Sequence, residues 1–488
     1  MSVTLESLAI CFQGLLPALL FTSSQDGVPN AAYLSHVDYV DPSHVALSFQ
    51  FFSKSRRNIE ENPFARVIVL DPDTGQGWSL RLEYVRSETT GPVFERMDLR
   101  IEAIASYCGL KGIFKLRAAD IYEVLDVEVV PEEKGTRCAE RHTAQANHPI
   151  FTIRALQDFG ERIQRADSLE SLVDSILAGL EESFGFRHSM ILVPAEDEGV
   201  LVTIATRGYA HDGAGAEVRV GEGICGMVAE ARKPIRISGL MRGMLYAMAM
   251  HRQAHEPSGL SPRWRIPLPG HANPESQLGV PLLVRNELVG VLCLESEVPY
   301  RFHEEDKASI ELLGSYLAIA IQNMQLQQRA SEALVEGLAA VPPDVPASGG
   351  PEPGMVAVPG DAVAGVPPGA AAAPSRATEP RPRREVVYYE DDECILVDGE
   401  YLIRSLPARI LWRLLTTYDA TGRQEFTNRE LRLDKSLNLP EWKDNLESRL
   451  LLLRRRLDQK CPDIRLVPRA RGRFALVLQS DVALSSRP

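Results

Sequence analysis

Hydrophobic and polar positions along the chain fall into four runs of different character. Over residues 1–132 apolar positions largely alternate with polar ones, the period-two signature of half-buried strands. Over 150–330, alternating runs are bracketed by helical periodicity. LESLVDSILAGLEESFGF opens the run, and HEEDKASIELLGSYLAIAIQNMQLQQRASEAL, about 304–334, sets Ile310, Leu313, Leu317, Ile321 and Met324 on one helical face. That second helix reads equally as a core helix closing a domain and as a dimer helix leaving it. Over about 331–384 periodicity disappears into Pro, Ala, Gly and Val, which cannot bury a core or sustain a helix; the segment reads as a disordered tether. Over 385–482 alternation and helical spacing return, so an independent module is expected there.

The last run is the richest in local signals. VVYYEDDECILVDGEYLIR carries Asp398-Gly399 between alternating stretches, a hairpin turn. Ser405 is placed as an N-cap with Pro407 in the first turn of the helix that follows. Thr427 and Glu430 form a capping box for a short helix. A third helix spans about 443–459, and a final hairpin turns at Gly472. Arg449, Arg454, Arg455 and Arg456 crowd that third helix, and Arg469, Arg471 and Arg473 crowd the hairpin. Guanidinium groups grip phosphates and read guanine edges, so these seven are the candidate DNA-binding residues. This order of elements, with the D-G hairpin, the L-R-R-R-L of 453–457 and the R-x-R-G-R-F tip, resembles the OmpR/PhoB type of winged helix. Leu451 and Leu452 depart from the resemblance, whose matching positions are polar. Four leucines at 450–453 cannot all face one core, so some are expected to pack on a neighbouring module.

In the middle block, Gly221, Gly223 and Gly226 permit a tight turn into a helix near Cys225, and 278–295 reads as a hairpin about Arg285-Asn286-Glu287. VRVGEGICGMVAEARKPIRI and QLGVPLLVRNELVGVLCLES resemble the GAF family, which implies a sensory pocket on an antiparallel sheet and a small-molecule ligand of unstated identity. His251, His255 and His271 in the segment 238–276 are weighed as haem or metal ligands, but a solvated, Met-lined lid is preferred and no metal site is assigned. Cys225 and Cys293 read as buried structural thiols before redox-active ones.

In the front block, VALSFQFFSKSRRNIEENPFARVIVLDP resembles the flavin-binding split barrel of pyridoxamine-phosphate oxidase. A phosphate needs cations and hydroxyls at the start of a helix, and Ser53, Lys54, Ser55, Arg56 and Arg57 precede NIEEN. The resemblance implies that these residues bind FMN, with Ser53, Lys54, Ser55 and Arg57 gripping its phosphate and Phe51 and the backbone near Phe21–Ser23 lining the ring. The oxidase's substrate-binding cations have no match, so its reaction is not expected.

Charge and composition narrow the reading. A net charge of −13 excludes a chain that is basic throughout, so DNA contact must be local. Seven cysteines without a framework suit a reducing, cytoplasmic compartment. No apolar run is long enough to span a membrane. The opening stretch, interrupted by Glu6, Gln13 and Pro17, reads as an amphipathic helix leading into a strand rather than a leader. The fold class expected is a multi-domain α/β mix: β split barrel, α+β GAF domain with an antiparallel sheet, disordered linker, winged helix-turn-helix. The function expected is a homodimeric DNA-binding transcription regulator sensing a small molecule or redox state. The alternative is a flavin-dependent oxidoreductase with a protein-contact winged helix. No catalytic residues are assigned.

Overall fold

The computed structural model describes residues 3–12, 18–50, 54–71, 75–107, 115–131, 153–195, 199–210, 213–238, 268–270, 274–298, 301–339, 383–437, 439, 446–470 and 472–488. The chain divides into two compact units: residues 1–325 with 445–456, and residues 326–444 with 457–488.

In the first unit, a 3-10 helix Leu5–Phe12 precedes β1 (Ala18–Ser23), β2 (Pro29–Leu34), β3 (Val37–Asp41), β4 (His44–Phe49), α1 (Lys54–Glu61), β5 (Phe64–Leu70), β6 (Gly77–Glu88), α2 (Pro92–Tyr107) and β7 (Ala118–Val129). The strands form one antiparallel sheet in the order β2-β1-β5-β6-β7-β4-β3. The Ser48 amide donates to the His36 carbonyl, and the His36 amide to Ser48 Oγ at 3.1 Å, carrying the β3–β4 pairing one residue further. The core of the front block holds Leu20, Val45, Val67, Leu80, Leu82 and Tyr122. The amphipathic opening segment is a 3-10 rather than an α-helix, and it buries Leu5, Leu8 and Phe12.

The middle block follows as α3 (Ile153–Arg165), α4 (Leu169–Phe184), β8 (His188–Pro194), β9 (Val200–Arg207), β10 (Glu217–Arg219), α5 (Gly223–Ala231), β11 (Ile235–Ser238), β12 (Ser276–Val284), β13 (Glu287–Ser296) and α6 (Glu304–Ala339). The sheet is antiparallel in the order β10-β9-β8-β13-β12-β11. Ser168 caps α4 through a capping box with Ser171, and Gly185 closes it in a left-handed conformation. One face of the sheet packs on α3, α4 and α6. The other packs on α5 and α2. Gly226 is demanded by space: a Cβ there would lie 2.1 Å from the Arg219 carbonyl oxygen. The β12–β13 turn places Arg285 and Asn286 at φ of 49° and 65°. Ile310, Leu313, Leu317 and Ile321 of α6 are core residues, so the core-helix reading holds for that face. The helix runs on to Ala339, past the expected boundary at 330.

The C-terminal residues form β14 (Arg383–Tyr389), β15 (Cys394–Val397), β16 (Glu400–Arg404), α7 (Ser405–Thr421), β17 (Glu425–Thr427), α8 (Asn428–Leu433), α9 (Leu446–Lys460), β18 (Ile464–Ala470), β19 (Arg473–Leu478) and β20 (Asp481–Arg487). Asp398 and Gly399 make the β15–β16 turn, and Thr427 with Glu430 makes the capping box of α8. The N-cap of α7 is Arg404 rather than Ser405, and no side chain caps it. Strand β20 pairs in parallel with β14, an edge that local patterning does not announce. Of the tether expected over 331–384, residues 331–339 extend α6 and 383–384 open β14, while 340–382 lie outside the described residues.

Candidate functional site

The start of α1 offers the first candidate site. Phe51 and Ser53 lie outside the described residues. Lys54 and Arg57 are exposed, whereas Ser55 is buried and accepts from Asn30 Nδ2 at 2.8 Å. Arg56 turns inward. Its Nη1 donates to Asp120 Oδ2 at 2.8 Å and Ser87 Oγ at 3.0 Å, and its guanidinium lies over the Phe49 and Tyr84 rings. Burial opposes the Arg56 charge, but Asp120 outweighs it and raises the pKa above the ordinary arginine value. Residues including Tyr33, Ser48, Gln50, Ser55, Arg56 and Asp120 line a cleft of about 130 Å³. Gln50 Nε2 is buried there without an acceptor. The cleft offers the Gln50 Nε2 donor to a ligand's acceptor, while exposed Lys54 and Arg57 stand beside Ser55 and Arg56 on α1 but are not among the cleft's lining residues. Arg56 is left to Asp120. Asp120 and Ser87 are the residues that sequence reasoning missed, because 64 and 31 positions separate them from Arg56.

The arginine-rich helix α9 offers the second. Its residues 445–456 belong to the same compact unit as 1–325. Leu451 is 2% exposed and sits in the core cluster with Leu172, Val173 and Ile176 of α4. Arg455 Nη2 donates to Asp174 Oδ1 at 2.5 Å, and Arg454 Nη1 lies 3.5 Å from Glu170 Oε2. Glu170 and Asp174 stand one turn apart on α4, so they present a paired carboxylate face. Arg449, 3% exposed, donates to the Pro194 carbonyl at 2.8 Å, and Arg456 is 5% exposed. In this conformation the four helix arginines face protein rather than solvent. Leucines 450–453 are all buried. On the hairpin, Arg469 and Arg473 are exposed, while Arg471 lies outside the described residues.

The α5 face of the middle sheet carries a buried polar group. Gln277 Nε2 donates to Glu295 Oε1 at 2.5 Å, and the His188 and Tyr209 rings are 5.4 Å apart. Burial, then the Glu295 charge, pushes the Tyr209 hydroxyl far above its ordinary pKa. His251, His255 and His271 lie outside the described residues. Among the described residues no cluster of His, Cys, Asp and Glu could hold a metal ion, and no helix is long and apolar enough to cross a membrane.

Comparison with known proteins gives one firm assignment. The GAF-domain family model matches residues 166–322. No curated protein matches the chain. Among solved structures, the GAF domain of a phosphoenolpyruvate-protein phosphotransferase from Coxiella burnetii is 20% identical, over 38% of this chain and 98% of that one, with a TM-score of 0.28. The free methionine-R-sulfoxide reductase of Neisseria meningitidis is 18% identical, over 36% and 89%, with a TM-score of 0.27. An FMN-binding protein from Syntrophomonas wolfei is 15% identical, over 26% and 84%, with a TM-score of 0.23. The block built on α4, β8–β13 and α6 is a GAF domain.

Proposed function

We propose that the chain is a DNA-binding transcription regulator, cytoplasmic and homodimeric, whose GAF domain and front sheet receive a small-molecule or redox signal. The observation that carries this reading is the seat of α9. An arginine-rich helix shares a core with a sensory domain through Leu451 and is held by Glu170 and Asp174 of α4. A signal that repositions α4 changes how many arginines are free for phosphate, and a ligand shifts that balance only by its differential affinity for the two arrangements. Exposed Arg469 and Arg473 supply the contacts that need no release. The front cleft suits FMN, with Lys54 and Arg57 at the phosphate and Gln50 donating to the ring. FMN would supply a redox-responsive group there, while the chain orients it.

A second reading takes α9 as a protein-contact element alone; the burial of Leu450, Leu451, Leu452 and Leu453 favours it. Retardation of a random-sequence duplex pool by the full chain at low salt separates the two. The regulator reading expects retardation that Arg469→Ala with Arg473→Ala weakens. A chain that leaves the pool unshifted supports the protein-contact reading and removes the first.

A further inference from the structure

Two thiols meet inside the GAF domain. Cys225, in the first turn of α5, and Cys293, in the middle of β13, are 68 residues apart in sequence, yet their sulfurs lie 3.0 Å from one another. They are 5% and 1% exposed. The close approach is built into the packing. Gly279 pairs with Cys293 across β12–β13, and a Cβ at Gly279 would stand 2.7 Å from Val228 Cγ2 of α5. The missing side chain is what lets α5 lie down on the sheet.

We propose that Cys225 and Cys293 are a reversible disulfide couple, oxidised by a hydroperoxide and reset by a small thiol. A disulfide bond of ~2.05 Å requires the sulfurs to close by roughly 1 Å, a small shift of α5 on β13. Cys225 is the first to react. It is the more exposed of the two, so a peroxide reaches it before Cys293. Its sulfur attacks the peroxide, an S–O bond forms, the O–O bond breaks, and the leaving oxygen departs with the thiol proton as water or alcohol. Cys293 then attacks the Cys225 sulfur. The S–S bond forms, the S–O bond breaks, and hydroxide leaves with the Cys293 proton as water. Two electrons pass from the two sulfurs to the peroxide. Its hydrogen bond with Cys225 and its burial hold the Cys293 thiol well above its ordinary pKa, so it keeps that proton until this step. Two equivalents of thiol return both cysteines.

The couple sits on the sheet face opposite Leu292 and Leu294, which pack in the cluster that holds α4 and Leu451. Its effect on DNA binding rests on the regulator reading above; its existence does not.

The test is hydrogen peroxide titration of the full chain, followed by alkylation and peptide mass mapping without reductant. The expected result is a peptide pair joined through Cys225 and Cys293, lighter by two hydrogens and reversed by dithiothreitol. Cys225→Ser and Cys293→Ser each abolish the pair. Recovery of both residues as separately alkylated or sulfinic species, at doses that oxidise the chain's other cysteines, overturns the couple. Because the unmutated chain gives the primary readout, a variant that fails to fold does not blunt the test. Where the joined pair forms but oxidised and reduced chains shift a duplex pool alike, the couple stands and its link to DNA fails.

Discussion

Arg455 of the C-terminal basic helix donates to Asp174 of a GAF helix, 281 positions earlier in the chain. With Arg454 beside Glu170, the helix has carboxylates of its own chain as partners, and on the regulator reading proposed above these compete with phosphates. Asp174 is 56% exposed and Glu170 38%, so each pair is weak, on the order of 0.2–1 kcal/mol. Weak pairs suit the opening that the regulator reading requires.

On the regulator reading, the exposed hairpin arginines set the salt dependence of duplex binding. Each phosphate contact contributes about 0.9 to the slope of log affinity against log salt. Replacing Arg469 and Arg473 together by alanine is expected to reduce that slope by nearly 2 and to weaken binding across unrelated sequences, as read by fluorescence anisotropy over a salt series. An unchanged slope removes the hairpin from the interface.

Leu451 tests the seat of α9 on the GAF core. It is 2% exposed among α4 side chains, and a buried leucine cut to alanine costs about 2–4 kcal/mol. Urea denaturation of Leu451→Ala is expected to show that loss. A cost below about 0.5 kcal/mol, ordinary for surface positions, means the leucine is solvated in solution.

Helix α6 carries a second apolar stripe away from the core. Leu312, Tyr316, Ile319 and Leu326 are between 41% and 52% exposed, and with Asn323 they recur in alternating steps of four and three. That spacing is the one a two-stranded coiled-coil seam with a polar residue at one position would use, so the homodimer proposed above is expected to form through it. Sedimentation should report a dimer for the chain and a monomer for Ile319→Glu. Monomeric behaviour of the unmutated chain at micromolar concentration contradicts the seam.

His36 predicts an acid limit for the front sheet. It is 2% exposed, its Nε2 lies 3.7 Å from Asp38, and burial lowers its pKa below the ordinary 6.5. Below pH 6.5 the unfolded chain takes up a proton that the folded one refuses, so stability present above that pH falls as the pH drops. Asp38, whose pKa is lowered by His36 and the Arg100 and Arg96 charges against the cost of burial, adds a further loss as pH falls through 3.8. Chemical denaturation between pH 7.5 and 5 (both ends chosen around His36) should show the first slope, and His36→Gln should flatten it. The same slope in the variant shifts the origin to another group.

Features written in consecutive residues were legible. The Asp398-Gly399 turn, the Thr427–Glu430 capping box, the glycines before α5 and the Arg285-Asn286 turn each follow from local backbone chemistry. The excess leucines of 450–453 announced a second packing surface, and Leu451 found it on α4. What the pattern did not carry is non-local. Nothing near Arg56 names Asp120 as its partner, and nothing near β14 announces the parallel strand β20. An arginine cluster looks the same whether it meets phosphate or the carboxylates of α4. The sulfurs of Cys225 and Cys293 meet only once the sheet is assembled.

The most direct measurement is duplex binding by the full chain with Glu170→Lys and Asp174→Lys together. Reversing both charges removes two weak attractions and adds repulsion, so the closed seat of α9 loses about 1–2 kcal/mol. The account predicts binding tighter by about five- to thirtyfold than that of the unmutated chain at the same salt. Equal affinity for the two proteins, or no affinity in either at low salt, contradicts it.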